Sequence, residues 1–167
     1  MSVYTTVSRA QLSDWLTRYR VGDLQALEPI AAGIENTNYF VTTAHGRFVL
    51  TLFEKLQPEE LPFYLGLMAH LAQKGIPCPR PVADRTGQLF SVLCGKPATL
   101  VSRLPGHDVE APDADRCAAV GAMLARMHLA GLDYPSTMPN PRGLQWWQGA
   151  ALELDPSEMM RAIASEK

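Results

Sequence analysis

Six residues, Gly33-Ile-Glu-Asn-Thr-Asn38, lie between two runs that read as strands and hold the strongest chemical content in the chain. Gly33 can take a positive φ or let a ligand approach the backbone closely. Asn36, Thr37 and Asn38 carry donors suited to phosphate oxygens. The run is not a GxxxxGK[ST] phosphate loop, because it lacks the lysine and leads into a strand, not a helix. A polar hairpin accounts for the same residues, so residue type leaves both readings open. A second candidate is Thr99-Leu-Val-Ser-Arg-Leu-Pro-Gly106, an apolar strand entering a Pro-Gly turn. A linker between two units has this character, and its backbone groups could pair with a flat heterocycle. A strand that simply ends in a turn has it as well.

Other residues carry less. His45, His70, His107 and His128 are scattered, with no Cys or carboxylate partner at metal-ligand spacing, and read as surface or satisfied helix positions. Asp113-Ala-Asp115 opens a helix, where the dipole explains two carboxylates. Trp146-Trp147 reads as a buried pair in a helical subdomain. No GxSxG elbow occurs, and no nucleophile, base and orienting group can be named. Cys78, Cys94 and Cys117 are odd in number and form no CxxC pair, which argues against a zinc site or disulfide framework and for a reducing, cytoplasmic setting.

The elements that must position the two candidate segments follow from local pattern. Ser8 and Gln11 have capping-box spacing, and Leu12, Trp15, Leu16 and Tyr19 recur at helical period, predicting a helix over about 8–20 with Gly22 as its stop. Residues 24–53 predict three antiparallel strands joined by short turns, the second turn at Ala44-His-Gly46. Pro58-Glu-Glu60 opens a second helix, with Leu65, Met68, Ala69 and Ala72 on its buried face and Gly75 at its end. Pro77, Pro79 and Pro81 hold the next segment extended. Residues 82–84, 89–93 and 98–104 predict further strands. Pro112 opens a third helix, in which Cys117, Val120, Leu124 and Met127 share a face. Residues 144–154 and 156–167 read as helical. This order predicts an α+β fold: an antiparallel sheet of about five strands with a helix across it, then the first helices of a second unit.

With 167 residues, the chain suits one domain or a domain plus an extension, and 47% hydrophobic against 19% charged residues is globular composition. Fifteen Lys+Arg against seventeen Asp+Glu give a net charge of −2, too balanced for an electrostatic nucleic-acid or membrane partner. No apolar run approaches the ~18 residues of a membrane span, and the N-terminus lacks a signal-peptide layout.

Gly33-Ile-Glu-Asn-Thr-Asn-Tyr-Phe40, Arg47-Phe-Val-Leu-Thr-Leu-Phe-Glu54, Leu61-Pro-Phe-Tyr-Leu-Gly-Leu-Met-Ala-His-Leu71 and Gly75-Ile-Pro-Cys-Pro-Arg-Pro-Val82 occur in this order. Together they resemble the bacterial homoserine kinases of the aminoglycoside-phosphotransferase-like, kinase-fold type, from about residue 3 to the end. The resemblance implies a two-lobed fold using ATP and Mg2+ to phosphorylate the hydroxyl of L-homoserine in threonine biosynthesis. It implies an N-terminal nucleotide-binding lobe over 1–103 and the start of a helical lobe over 104–167. Gly33, Glu35, Asn36, Thr37 and Asn38 would belong to the loop over the nucleotide phosphates. Ser102 and Leu104 would contact adenine from the interlobe hinge, through the Ser102 carbonyl and the Leu104 amide.

Two departures from the family pattern matter. Thr51 stands where the kinase fold usually has a phosphate-holding lysine, and no acidic residue lies near Leu65, where that lysine's partner would be. Losing both avoids leaving one charge stranded. Lys55, if it continued the strand on the face of Thr51, would supply cation density. No catalytic residue is expected in this chain, because the H-x-D-x-x-x-x-N loop and the later Mg2+-binding aspartate do not occur. The expectation is therefore an inactive N-terminal portion of a longer kinase, with apolar surface exposed on the 113–130 helix. Another small-molecule kinase of the aminoglycoside or choline kinase-like group, or a non-catalytic nucleotide-binding module, are the alternatives.

Overall fold

The computed structural model describes residues 3–153. In chain order the elements are α1 (Arg9–Leu16), β1 (Leu24–Ile30), β2 (Asn36–Thr43), β3 (Gly46–Phe53), α2 (Leu61–Gln73), β4 (Ser91–Leu93), β5 (Lys96–Ser102), α3 (Ala114–Gly131) and α4 (Leu144–Glu153). The strands form one antiparallel sheet in the order β1-β2-β3-β5-β4. The α+β expectation with about five strands is met. The described residues fall into two compact units that divide after Pro135.

The capping box at the start of α1 is formed. Ser8 Oγ accepts from Gln11 N–H at 3.2 Å, and Gln11 Oε1 accepts from Ser8 N–H at 2.9 Å. Such a cap stabilises a helix by about 1 kcal/mol, which matters in a helix of only eight residues. It holds Leu12, Trp15 and Leu16 against one face of the sheet, where they join Tyr39, Val41, Leu50, Leu52, Ala98 and Leu100 in the main core. Alternation along β2 puts Thr37, Tyr39, Val41 and Thr43 on this buried face and Asn36, Asn38, Phe40 and Thr42 on the other. The second face is covered only in part, where Phe53 packs with Leu61 and Leu65 of α2. One face of the sheet is thus closed by α1, and the other is left open beyond α2.

Local expectations fail where side chains redirect the backbone. The first helix stops at Leu16, although Tyr19 beyond it is still buried. The second begins at Leu61 rather than Pro58, because Glu60 folds back: its N–H bonds to the Gln57 carbonyl and its carboxylate accepts from Gln57 N–H at 2.9 Å. Residues 82–84 form no strand. Pro81 makes an isolated bridge to Val101, and Asp84 then accepts from the Thr86 and Gln88 amides to close a turn. Asp113 caps α3 through a 2.8 Å bond from Arg116 N–H, as the helix-start reading requires. On α3, Val120 and Leu124 are 69% and 50% exposed. Trp146 and Trp147 are not buried; the indoles meet edge to face at 4.9 Å and remain largely exposed. The helix expected over 156–167 lies outside the described residues.

Candidate functional site

The register of the sheet aligns two rows of side chains on the face opposite α1, where the β2 and β3 members are half-buried and Thr99 and Val101 of β5 are buried. Ile30, Asn38, Thr51 and Thr99 form one row across β1, β2, β3 and β5, and Glu28, Phe40, Val49 and Val101 form the next. A polar row therefore lies toward the 31–35 loop, and an apolar row lies toward the end of β5. Such a surface offers hydrogen bonds at one end and a flat apolar contact at the other.

Within the polar row, Thr51 Oγ1 donates to Asn38 Oδ1 at 2.8 Å. An amide held by its oxygen turns its NH2 the other way. Asn38 Nδ2 accordingly points back along the strand, 3.4 Å from the Asn36 carbonyl and toward the loop. Thr51 thus substitutes no charge for the missing lysine. What it does is fix the donor edge of Asn38. Gly33 takes φ +124°, a conformation L side chains rarely adopt, and the loop with Ile34 and Glu35 is exposed.

Thr37 departs from its expected role. Its side chain is fully buried on the α1 side, where Oγ1 accepts from Tyr4 N–H at 2.9 Å and Thr5 N–H at 3.1 Å and donates to Glu54 Oε1 at 2.7 Å. Its hydroxyl is committed to that network and cannot turn toward a ligand on the open face, because successive strand residues point to opposite faces. Lys96 Nζ pairs with Glu54 Oε2 at 3.2 Å on the same side, so it does not stand in for the absent lysine. Burial raises the Glu54 pKa, but the hydrogen bonds from Thr37, Thr5 and Lys96 outweigh it and hold the carboxyl below its ordinary range. Lys55 is not on the strand: β3 ends at Phe53, the chain bends, and Lys55 is exposed.

At the other end, the ladder runs out of β5 with Arg103 N–H bonded to the Arg47 carbonyl at 3.2 Å. Ser102 is held by three contacts to the 80–82 segment and β3: its N–H bonds the Arg80 carbonyl, its Oγ accepts from Arg80 N–H, and it pairs with Phe48. Leu104 follows, 43% exposed. The Arg103 guanidinium lies 3.8 Å from the centroid of the Phe40 ring, a contact that no local sequence pattern signals.

A second unforeseen cluster ties α2 to the end of α3. His70 Nε2 lies 3.0 Å from both the Ala130 carbonyl and Asp133 Oδ1, and Lys74 pairs with the same carboxylate. The Lys74 bond, with a smaller contribution from His70, lowers the Asp133 pKa. Tyr134 Oη donates to the Phe63 carbonyl at 3.0 Å and sits where a side chain on Gly66 would be. Leu65, the position near which an acidic partner was sought, is buried in apolar contact with Phe53 and Leu61. Among the described residues, no group of three or more His, Cys, Asp or Glu could hold a metal ion, and no helix is long and apolar enough to cross a membrane.

A model of the phosphotransferase enzyme family matches residues 26–166. The chain belongs to the phosphotransferase enzyme family. The chain is 53% identical over 160 residues to a homoserine kinase of Cupriavidus pinatubonensis, covering 93% of this chain and 48% of that protein. It is 51% identical over 156 residues to a homoserine kinase of Burkholderia thailandensis, covering 93% and 47%. Against a homoserine kinase of Ralstonia nicotianae the identity is 52% over 160 residues, covering 93% and 48%. The chain spans about half the length of these curated relatives. A solved spectinomycin phosphotransferase, in complex with ADP and spectinomycin, has a TM-score of 0.58 at 15% identity over 92% of this chain and 50% of that one. At that identity the likeness concerns the fold, and it is the kinase-like fold the sequence resemblance implies.

Proposed function

We propose that this phosphotransferase chain is the nucleotide-side half of a homoserine kinase, which transfers a phosphoryl group from ATP to the hydroxyl of L-homoserine. The observation that carries the reading is the identity of about half the residues with curated homoserine kinases, over 93% of this chain. In this reading residues 1–103 act as the nucleotide lobe and 104–167 begin the helical lobe. This functional division differs from the compact unit ending at Pro135, because α3 docks on α2.

ATP would supply the transferable phosphoryl group, and the open face of the sheet fits it in kind. Gly33, Glu35 and Asn36 would lie over the phosphates, with Asn38 presenting an NH2 donor whose direction Thr51 fixes. Thr37 contributes as the anchor of the loop. Phe40, Val49 and Val101 form an apolar floor suited to a purine, and the backbone of Ser102 and Leu104 would meet its polar edge. The row of Ile30, Asn38, Thr51 and Thr99 carries no charge, so neutral donors would carry the attraction at that point. Mg2+ finds no cluster of ligands among the described residues. Three free thiols suit a cytoplasmic enzyme.

The test is ADP formation by the protein at the full length of its relatives, offered a panel of small alcohols. Turnover dependent on L-homoserine supports the reading. Turnover on another alcohol with L-homoserine inert overturns the substrate, and no turnover with any alcohol overturns the enzyme.

A further inference from the structure

Tyr4 reaches across thirty positions to the exposed loop, where its Oη donates to the Ile34 carbonyl at 2.8 Å. The segment carrying it is itself fixed. Thr37 Oγ1 accepts the Tyr4 and Thr5 amides, the Thr5 carbonyl accepts from Tyr39 Oη at 3.1 Å, and Glu54 holds the Thr37 hydroxyl from below. This segment lies on the α1 side of the sheet, since Thr37 and Tyr39 both face that way.

A trans peptide is planar, with its C=O and N–H pointing in opposite directions. Pinning the Ile34 oxygen toward Tyr4 therefore turns the N–H of the same peptide unit, contributed by Glu35, away from Tyr4. It also ties up a carbonyl oxygen that would repel phosphate. We infer that Tyr4 is a positioning residue for phosphate binding: through the Ile34 carbonyl it sets the orientation of the 34–35 peptide over the nucleotide. Thr37 and Glu54 hold Tyr4 in place for this task. The inference rests on the nucleotide-binding reading of the loop.

The Tyr4 ring is 60% exposed, so Tyr4→Phe removes one hydroxyl without disturbing the core. In the full-length protein, Tyr4→Phe is expected to raise KM for ATP roughly three- to tenfold, the range for loss of one hydrogen bond, with KM for L-homoserine unchanged. Thr37→Val is expected to raise the same KM, while Thr37→Ser, which keeps the hydroxyl, restores it. Wild-type KM for ATP in Tyr4→Phe would overturn the positioning role. An equal rise in both KM values would also overturn it, as a general effect on the fold. If the wild-type protein turns over no ATP, the nucleotide reading itself fails. The direction of the Ile34 carbonyl in a crystal structure of Tyr4→Phe, expected to differ from wild type, then decides whether the tether exists at all.

Discussion

Thr51 and Asn38 meet across β3 and β2, the Thr51 Oγ1 donating to the Asn38 Oδ1 at 2.8 Å. The bond orients the Asn38 amide, proposed above as a phosphate donor. Removing the hydroxyl should free the Asn38 amide to rotate. Thr51→Val is expected to raise KM for ATP about two- to tenfold, from a net hydrogen-bond contribution of about 0.5–1.5 kcal/mol. Thr51→Ser should behave as wild type, and steady-state kinetics on the full-length protein distinguishes the two.

Arg103 covers the Phe40 ring on the face proposed for the purine, so a bound base must displace it. An exposed cation–π contact contributes about 0.5–1 kcal/mol. Arg103→Ala is therefore expected to lower KM for ATP about two- to fivefold. A raised KM would mean that Arg103 grips the nucleotide.

Glu54 gives the fold a pH dependence with a definite sign. Its folded pKa lies below the ordinary 4.5, so its contribution is complete above that value and is lost as pH falls through the folded value. Thermal denaturation of wild type and Glu54→Gln should show a constant difference in Tm from pH 7 down to about pH 5, closing at more acid pH.

Glycine-to-alanine exchange should change sign between the two long helices. Gly121 on α3 has open space around it, so Gly121→Ala should raise stability by about 0.5–1 kcal/mol through helix propensity. At Gly66 a methyl group would collide with the Tyr134 hydroxyl, so Gly66→Ala should cost about 1–3 kcal/mol by overpacking. Adding Tyr134→Ala should recover part of that loss, and urea denaturation reads all three.

These features differ in how far they could be read from sequence. The Ser8–Gln11 box and the 44–46 turn are local, and alternation through 36–53 dictates which side chains share a face. The placement of the 33–35 loop before β2 and of Leu104 after β5 therefore emerged. The role of Thr37 did not, because its partners Tyr4 and Glu54 lie 33 and 17 positions away. His70 and Asp133 are 63 apart, so no local pattern links them. Pro81 and Asp84 defeated the strand expected at 82–84, where a proline ring and an Asx turn outweighed apolar character. Lys55 failed for a similar reason, since strand alternation cannot be extended past the bend after Phe53.

The central claim is that the sheet face carrying Asn38, Phe40, Val49 and Thr51 holds the nucleotide. A crystal structure of the full-length protein with ADP tests it most directly. The purine is expected over Phe40 and Val49, beside Ser102 and Leu104, with the phosphates under the 33–36 loop. ADP bound on the α1 side, or elsewhere with this face bare, would contradict it.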